Sequence, residues 1–399
     1  MAPTSRAPTL DTLFAARART SRATSRWPEE PEGAISLAYG FAAPERFPTD
    51  ALVAATAEVL AEDAPHALNY GPTYPGLVRL IIDRLAHQQI SAGPSNIMVT
   101  HGSSQALGLL AQVFIDQGDT VIVEGPSFMG AVNYFIAAGA RLVTVPVGAE
   151  GLDLDVLEGT LADLKAEGVV PKFVYTIPTY HNPTGTLMPL ANRQRLIELA
   201  VRYGTLLLED DAYGELYFDA PPPPRLAALD TDGVVIHVST FSKILAPGVR
   251  VGFACARPEI IERLSMFKIE GGNGPFITRV VERYCADGRL EAHIADLRRL
   301  YKRKAEVMLA AIEREFLPEV TFRRPAGGFF IWCRLPDGMD APTLLKAAEA
   351  RGVSFVAGSD FYANGAGANE LRLAFSLQSE ELIVKGIERT GAAMRSLVG

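Results

Sequence analysis

Lys243 stands in STFSKILAPGVRVGF, residues 239–253, and Arg250 follows it by seven positions. The lysine comes just after the apolar run VVIHVS (234–239). A lysine desolvated at a strand end loses proton affinity and becomes a nucleophile toward a carbonyl carbon. An arginine beside it can hold a doubly charged phosphate with its planar fork of donors. A second segment, LLLEDDAYGELYF, ends an apolar run in Glu209, Asp210 and Asp211, with Tyr213 close behind. One such acid can simply be solvated, but a carboxylate at the mouth of a buried strand suits pairing with a cation. A third segment, MVTHGSSQALGLLAQVF, passes through Gly102 into Ser103 and Ser104, where a helical pattern begins. Free N–H groups, the helix dipole and two hydroxyls make that start an anion seat. Serine at a helix start is ordinary, so this segment gains meaning only beside the other two.

The elements that position these residues follow from hydrophobic periodicity. Seven apolar runs predict strands: NIMVT (96–100), TVIVE (120–124), RLVTVPV (141–147), KFVYTI (172–177), TLLLED (205–210), VVIHVS (234–239) and VGFACA (251–256). Most are apolar on both faces, as in strands covered by helices on each side. Helical stretches such as SQALGLLAQVFID and LANRQRLIELAVRYG lie between several of them. This alternation predicts an α/β fold with a mostly parallel sheet and right-handed crossovers. After about residue 285 the pattern changes to a charged amphipathic stretch running to Phe316, then GGFFIWCRL and LRLAFS with a helical stretch between them. The chain, at 399 residues, exceeds one ordinary core. The expected division is 1–50 as an N-terminal arm and part of a small domain, 51–285 as a large domain, and 286–399 as a small C-terminal α+β domain. The run PPPP at 221–224 reads as a stiff surface loop.

Composition narrows the function classes. The formal net charge is −8, which argues against a general nucleic-acid or anionic-membrane surface. No apolar run approaches the ~20 residues that span a bilayer. Cys255, Cys285 and Cys333 are sparse and unpaired by spacing, which fits a reducing, cytoplasmic setting and small core residues. The six histidines, at 66, 87, 101, 181, 237 and 293, show no ligand spacing, so no metal is expected. The first 26 residues are rich in Arg, Ser, Thr and Ala. They read as an arm lying over a partner subunit, with a transit peptide as the other reading.

In an open parallel sheet, ligands bind beyond the C-terminal strand ends, and all three segments fall there. A phosphate seat, a carboxylate for a ring cation and a carbonyl-reactive lysine together describe pyridoxal phosphate. The chain resembles the fold-type I pyridoxal-phosphate enzymes of aminotransferase class I/II, and among them the 2-aminoadipate and kynurenine aminotransferase branch. The likeness runs from ISLAYGFAAPERFP to LRLAFS, through NYGPT, GSSQAL, PTYHNPTG, EDDAYGEL, STFSKILAPGVRVGF and GGFFIW in order. So many ordered motifs are specific where one alone is not. The resemblance implies a mainly parallel seven-stranded sheet domain with a smaller α+β domain, and a homodimer. Lys243 would form the internal aldimine and shuttle the substrate's Cα proton. Asp210 would pair with the pyridinium nitrogen, while Tyr213 and Asn182 would bond the ring's phenolate oxygen. Ser103, Ser104, Thr240, Ser242 and Arg250 would hold the phosphate, and Phe128 would stack on the ring. Tyr70 would reach the phosphate bound in a partner subunit. Arg372 would grip the substrate carboxylate, helped by Gly40 and Asn182.

Three stretches depart from the branch's pattern. LAYGFA puts Tyr39 where a glycine is usual and Ala42 where a proline is usual. KIEGGNGPF (268–276) replaces a polar sequence, with Gly271, Gly272 and Gly274 expected to form a flexible substrate wall. VAGSDFY carries Ala357-Gly358 where the branch has Pro-Gly. The expected activity is amino transfer between an amino acid and a 2-oxo acid, both small-molecule partners. The altered walls leave a second reading, β- or γ-elimination or replacement on an S-adenosylmethionine-like amino acid. A transcription regulator with such a sensor domain is the third. It would need a winged helix ahead of ISLAYG, which starts at residue 35.

Overall fold

The computed structural model describes residues 13–15, 33–269 and 272–398. The expectations for the extreme N-terminal stretch, and for Gly271, therefore lie largely outside the described residues. Along the chain the strands are β1 (Ile35–Ser36), β2 (Ile97–Thr100), β3 (Thr120–Gly125), β4 (Arg141–Gly148), β5 (Gly151–Leu152), β6 (Phe173–Thr176) and β7 (Leu206–Asp211). They continue with β8 (Val235–Thr240), β9 (Gly252–Cys255), β10 (Thr321–Phe322), β11 (Phe330–Arg334), β12 (Val353–Ser354), β13 (Val356–Ala357) and β14 (Glu370–Ala374).

The main sheet has the order β2-β9-β8-β7-β6-β3-β4-β5. Pairing from β8 through β7, β6 and β3 to β4 is parallel. All seven expected runs are in it. The eighth strand is a correction: Gly151–Leu152 folds back antiparallel on β4. Two residues of pairing carry too little pattern to be read in advance. β9 also runs antiparallel to both β2 and β8. Its chain turns back through the Lys243–Arg250 segment, which places both ends of that segment at one edge of the crevice.

Helices cover both faces, so the central strands β3 and β6 have no exposed residue, and neither has the edge strand β2. One core cluster includes Leu107, Val121, Phe135 and Tyr175; another includes Ile122, Leu157, Val174 and Leu196. Adjacent strand residues fall into opposite clusters, as a period of two requires.

A second, antiparallel sheet has the order β10-β11-β14-β13. The long helix Arg289–Glu315 and the C-terminal helix Glu380–Val398 accompany it. The amphipathic stretch is thus one 27-residue helix, buried through Leu290, Ile294, Leu297, Tyr301 and Met308. β1 pairs in parallel with β12, and the Ala374 N–H donates to Leu37 O. The segment after residue 33 is therefore tied to this second sheet, which brings Gly40 to the crevice.

Candidate active site

Beyond the C-terminal ends of β7 and β8 lies a cavity of about 380 Å³. Its wall includes every site residue expected from the sequence except Tyr70: Tyr39, Gly40, Ser103, Ser104, Phe128, Asn182, Asp210, Tyr213, Thr240, Ser242, Lys243, Arg250 and Arg372. Phe41, Ile177, Ala212, Pro247 and Phe330 complete it.

Strand register decides which acid faces the cavity. Glu209 and Asp211 are both tied to other partners. Glu209 accepts from the Leu226 and Ala227 N–H groups and lies 2.9 Å from His237 Nδ1. Asp211 accepts from Arg225 Nε at 2.9 Å. That guanidinium holds the Asp211 carboxyl below its ordinary range, against the pull of burial. Asp210 alone of the three lines the cavity. Its Oδ2 accepts from the Tyr175 hydroxyl at 2.8 Å, and its Oδ1 is buried without a partner. Burial raises it to about 6, while the Tyr175 hydrogen bond pulls it down.

Lys243 follows β8, and its Nζ donates to Gly40 O at 2.9 Å. Burial lowers its pKa to about 8, with Arg372 and Arg250 pushing the same way and Asp210 opposing. Near pH 7 about a tenth of Lys243 is then the neutral amine, against roughly one in 3,000 for an ordinary lysine. A low-pKa lysine here predicts selective reactivity. In the apoprotein, competitive acetylation read by mass spectrometry should give a Lys243 midpoint near pH 8, with reactivity rising as pH rises. A midpoint near 10 would contradict the desolvated environment.

The phosphate seat is shaped by close approach. The helix Ser103–Phe114 starts after Gly102, which has φ +72°. A Cβ at Gly102 would stand 2.6 Å from Arg250 Nη2, and one at Gly252 would stand 2.6 Å from the Gly102 carbonyl carbon. Both positions require glycine because these neighbours leave no room for a Cβ. Arg250, itself in the left-handed region, donates from Nη2 to His101 O at 3.0 Å. Thr240 Oγ1 donates to Ser242 Oγ at 2.9 Å. A guanidinium, four hydroxyls and a helix start thus converge on one end of the cavity. Phe128 covers another wall, its ring folded over Gly130, where a Cβ would stand 2.3 Å from the Phe128 ring.

Arg372 stands on β14 opposite Trp332 of β11. Its Nη1 donates to Asn182 Oδ1 at 2.8 Å and its Nη2 to Ala38 O. The guanidinium carbon is 4.2 Å from the Phe330 ring centre and 4.7 Å from that of Phe361. Sandwiched and buried, it has its pKa lowered to about 10. Gly40 is forced by Phe330, whose ring would stand 2.5 Å from a Cβ there.

The remaining expectations divide. Tyr70 is 96 % exposed and reaches no part of this cavity. Gly272 and Gly274 do not line it either, which corrects the expected glycine wall: Gly272 borders a separate cavity with Thr73 and Lys268. His181 is structural, its Nε2 lying 3.0 Å from Glu124 Oε2 and its Nδ1 accepting from Thr184. Among the described residues no group of acids, histidines and cysteines could hold a metal ion. Sequence reading missed Tyr175, Phe330 and Phe361. Tyr175 stands in an apolar strand, and only the pairing of β6 with β7 brings it to Asp210.

The site fits pyridoxal phosphate: an anion seat, an unpartnered carboxylate oxygen for a ring cation and a lysine able to shed its proton. The family model for aminotransferase class I and II matches residues 36–389. The chain belongs to this family. The aminotransferase is 40 % identical over 373 residues to the 2-aminoadipate transaminase of Thermus thermophilus, across 92 % of this chain and 91 % of the relative. It is 39 % identical over 372 residues to aromatic-amino-acid aminotransferase 1 of Thermococcus litoralis, with 92 % and 89 % covered. The crystal structure of the alpha-aminoadipate aminotransferase of Thermus thermophilus, complexed with N-(5'-phosphopyridoxyl)-L-leucine, superposes with a TM-score of 0.91. That pair is 37 % identical, with 98 % of this chain and 99 % of the other covered. The aminotransferase therefore has the fold-type I architecture and uses pyridoxal phosphate to move amino groups between amino acids and 2-oxo acids. These relatives support transfer, and not the elimination or replacement reading.

Proposed function

We propose that the residues of this cavity divide the work of transamination as follows. Ser103, Ser104, Thr240, Ser242 and Arg250 bind the cofactor's phosphate. Asp210 and Tyr213 hold the two polar edges of its ring, with Asn182 beside Tyr213, and Phe128 stacks on its face. When bound, pyridoxal phosphate supplies an aldehyde that joins an amine and a ring that accepts electrons. Lys243 would hold the cofactor through its neutral amine and, once the substrate's amine has taken its place and freed it, would carry on Nζ the proton that leaves the substrate's Cα and returns to the product. Arg372 takes the substrate carboxylate as a bidentate partner.

One observation carries this reading. The segment 38–40 joins the two anchors: Arg372 donates to Ala38 O and Lys243 to Gly40 O. A partner for a substrate carboxylate and a partner for its amine thus meet one three-residue segment, whose Tyr39 and Gly40 line the cavity. Arg372→Ala is expected to lower kcat/KM by about 10²–10³-fold, since a buried charge pair loses one member. Arg372→Lys should recover only part, because it keeps the charge without the fork. Steady-state kinetics with one amino acid and one oxo acid reads both. Losses within threefold for Arg372→Ala would remove the residue from substrate binding.

The substrate's side chain meets Tyr39, which lies between the two anchored carbonyls. Tyr39 and Phe41 stack with ring centres 4.9 Å apart and planes 2° apart. This wall favours a large apolar or aromatic amino acid. Tyr39→Gly should cost about tenfold in kcat/KM for phenylalanine and much less for alanine. An equal effect on both substrates would contradict the assignment.

The cytoplasm is the proposed location, supported by three buried, free cysteines. No described helix is long and apolar enough to cross a membrane. The division at residues 50 and 285 is likewise proposed. A second copy of the chain is the proposed partner. Tyr70 at 96 %, Ile269 at 87 % and Leu68 at 68 % exposure offer apolar surface, and Tyr70 would then reach the partner's phosphate seat.

A further inference from the structure

We propose that Tyr175 is a positioning residue: its hydroxyl fixes the Asp210 carboxylate so that Oδ1 faces the cofactor's ring. The inference rests on the assignment of Asp210 made above. Tyr175 is fully buried on β6, its partner across β7 being Leu208. Phe135 meets its ring edge-on at 5.4 Å. The ring is thus held by packing, and its hydroxyl reaches Asp210 Oδ2 at 2.8 Å. No other hydrogen bond to the Asp210 side chain is made among the described residues; Oδ1 is buried without a partner, and Asp210 lines the cavity.

A carboxylate turns readily about its last torsion. One donor on one oxygen fixes the plane and leaves the other oxygen aimed. A bond to an ionised acceptor is also roughly twice as strong as one to a neutral acceptor, so Tyr175 favours the charged form of Asp210. The other charged or titratable groups facing Asp210 act through space. Asp211 and Glu124 disfavour its charge and His237 favours it. Lys243 and Tyr213 face it across the cavity.

The probe is pyridoxine 5'-phosphate, which has the ring nitrogen and phosphate but no aldehyde to react with Lys243. Its affinity for the apoprotein is measured by fluorescence titration in wild type, Tyr175→Phe, Asp210→Ala and the double variant. Tyr175→Phe should weaken binding about tenfold at pH 7. The loss should shrink at higher pH, where Asp210 ionises unaided. In the Asp210→Ala background the same change should cost under about twofold. Thermal melting follows the fold; if Tyr175→Phe unfolds while the double variant folds, the unpaired acid is the cause and the inference stands. An unchanged affinity in Tyr175→Phe, or an equal, pH-independent loss in both backgrounds, would overturn it. If Asp210→Ala itself leaves the affinity unchanged, the assignment of Asp210 fails and takes this inference with it.

Discussion

Lys243→Ala is expected to lose at least about 10⁴-fold in kcat, the upper end of what a positioned acid–base group contributes. The reason lies in the surroundings of Nζ. It is half-buried near two guanidinium groups, with Gly40 O as its acceptor and Asp210 as the opposing charge. Among the cavity's wall residues no second lysine stands ready to replace it. A guanidinium group donates hydrogen bonds and offers no acceptor, so neither Arg250 nor Arg372 can take over the proton transfer. A small added amine such as methylamine should restore part of the rate, since it can occupy the vacated space and carry protons. Stopped-flow half-reactions with and without the amine read the effect. Rates within tenfold of wild type, or a loss that no amine relieves together with a collapsed fold, would count against the role of Lys243.

Asp210→Asn is expected to lower kcat by about 10²–10³-fold, as loss of a preorganised charge in a dry site does. The substitution preserves shape and hydrogen-bonding reach, so the effect isolates charge. Asp210 sits 4 % exposed at the end of an apolar strand, and burial alone would drive it neutral. The Tyr175 hydroxyl and His237 draw it back toward ionisation. With a pKa of about 6, the charge is present above that pH and is lost as the pH falls through it. In the apoprotein, affinity for pyridoxine 5'-phosphate should therefore decline on the acid side near pH 6. The variant should lack that limb. A variant with wild-type kcat, or with the same acid limb, would contradict the assignment.

Much of this site was legible because its chemistry is attached to strand ends. Lys243, Asp210 and Ser103 each follow an apolar run whose length and composition announce a buried strand, and a polar residue there has to be explained. Arg372 came instead from the resemblance, through the motif LRLAFS. What stayed hidden depends on pairing. Which of three consecutive carboxylates faces the ligand is a matter of register, and Glu209 and Asp211 proved to be tied to His237 and Arg225. Tyr175 and Phe361 look like core residues until β6 meets β7 and the turn before Tyr362 folds under Arg372. The glycines near 272 were misplaced because their distance from the lysine in sequence said nothing of the neighbour they meet. His101 Nε2 contacts Gly272 O at 3.3 Å, outside the cavity wall. The antiparallel β5 could not be foreseen either, since it rests on two residues.

The most direct measurement is to reduce the cofactor-loaded enzyme with borohydride, digest it and locate the phosphopyridoxyl mass by peptide sequencing. The account predicts that mass on the side chain at position 243 and on no other residue. Its appearance on a different lysine, or release of all the cofactor unbound after reduction, would contradict it.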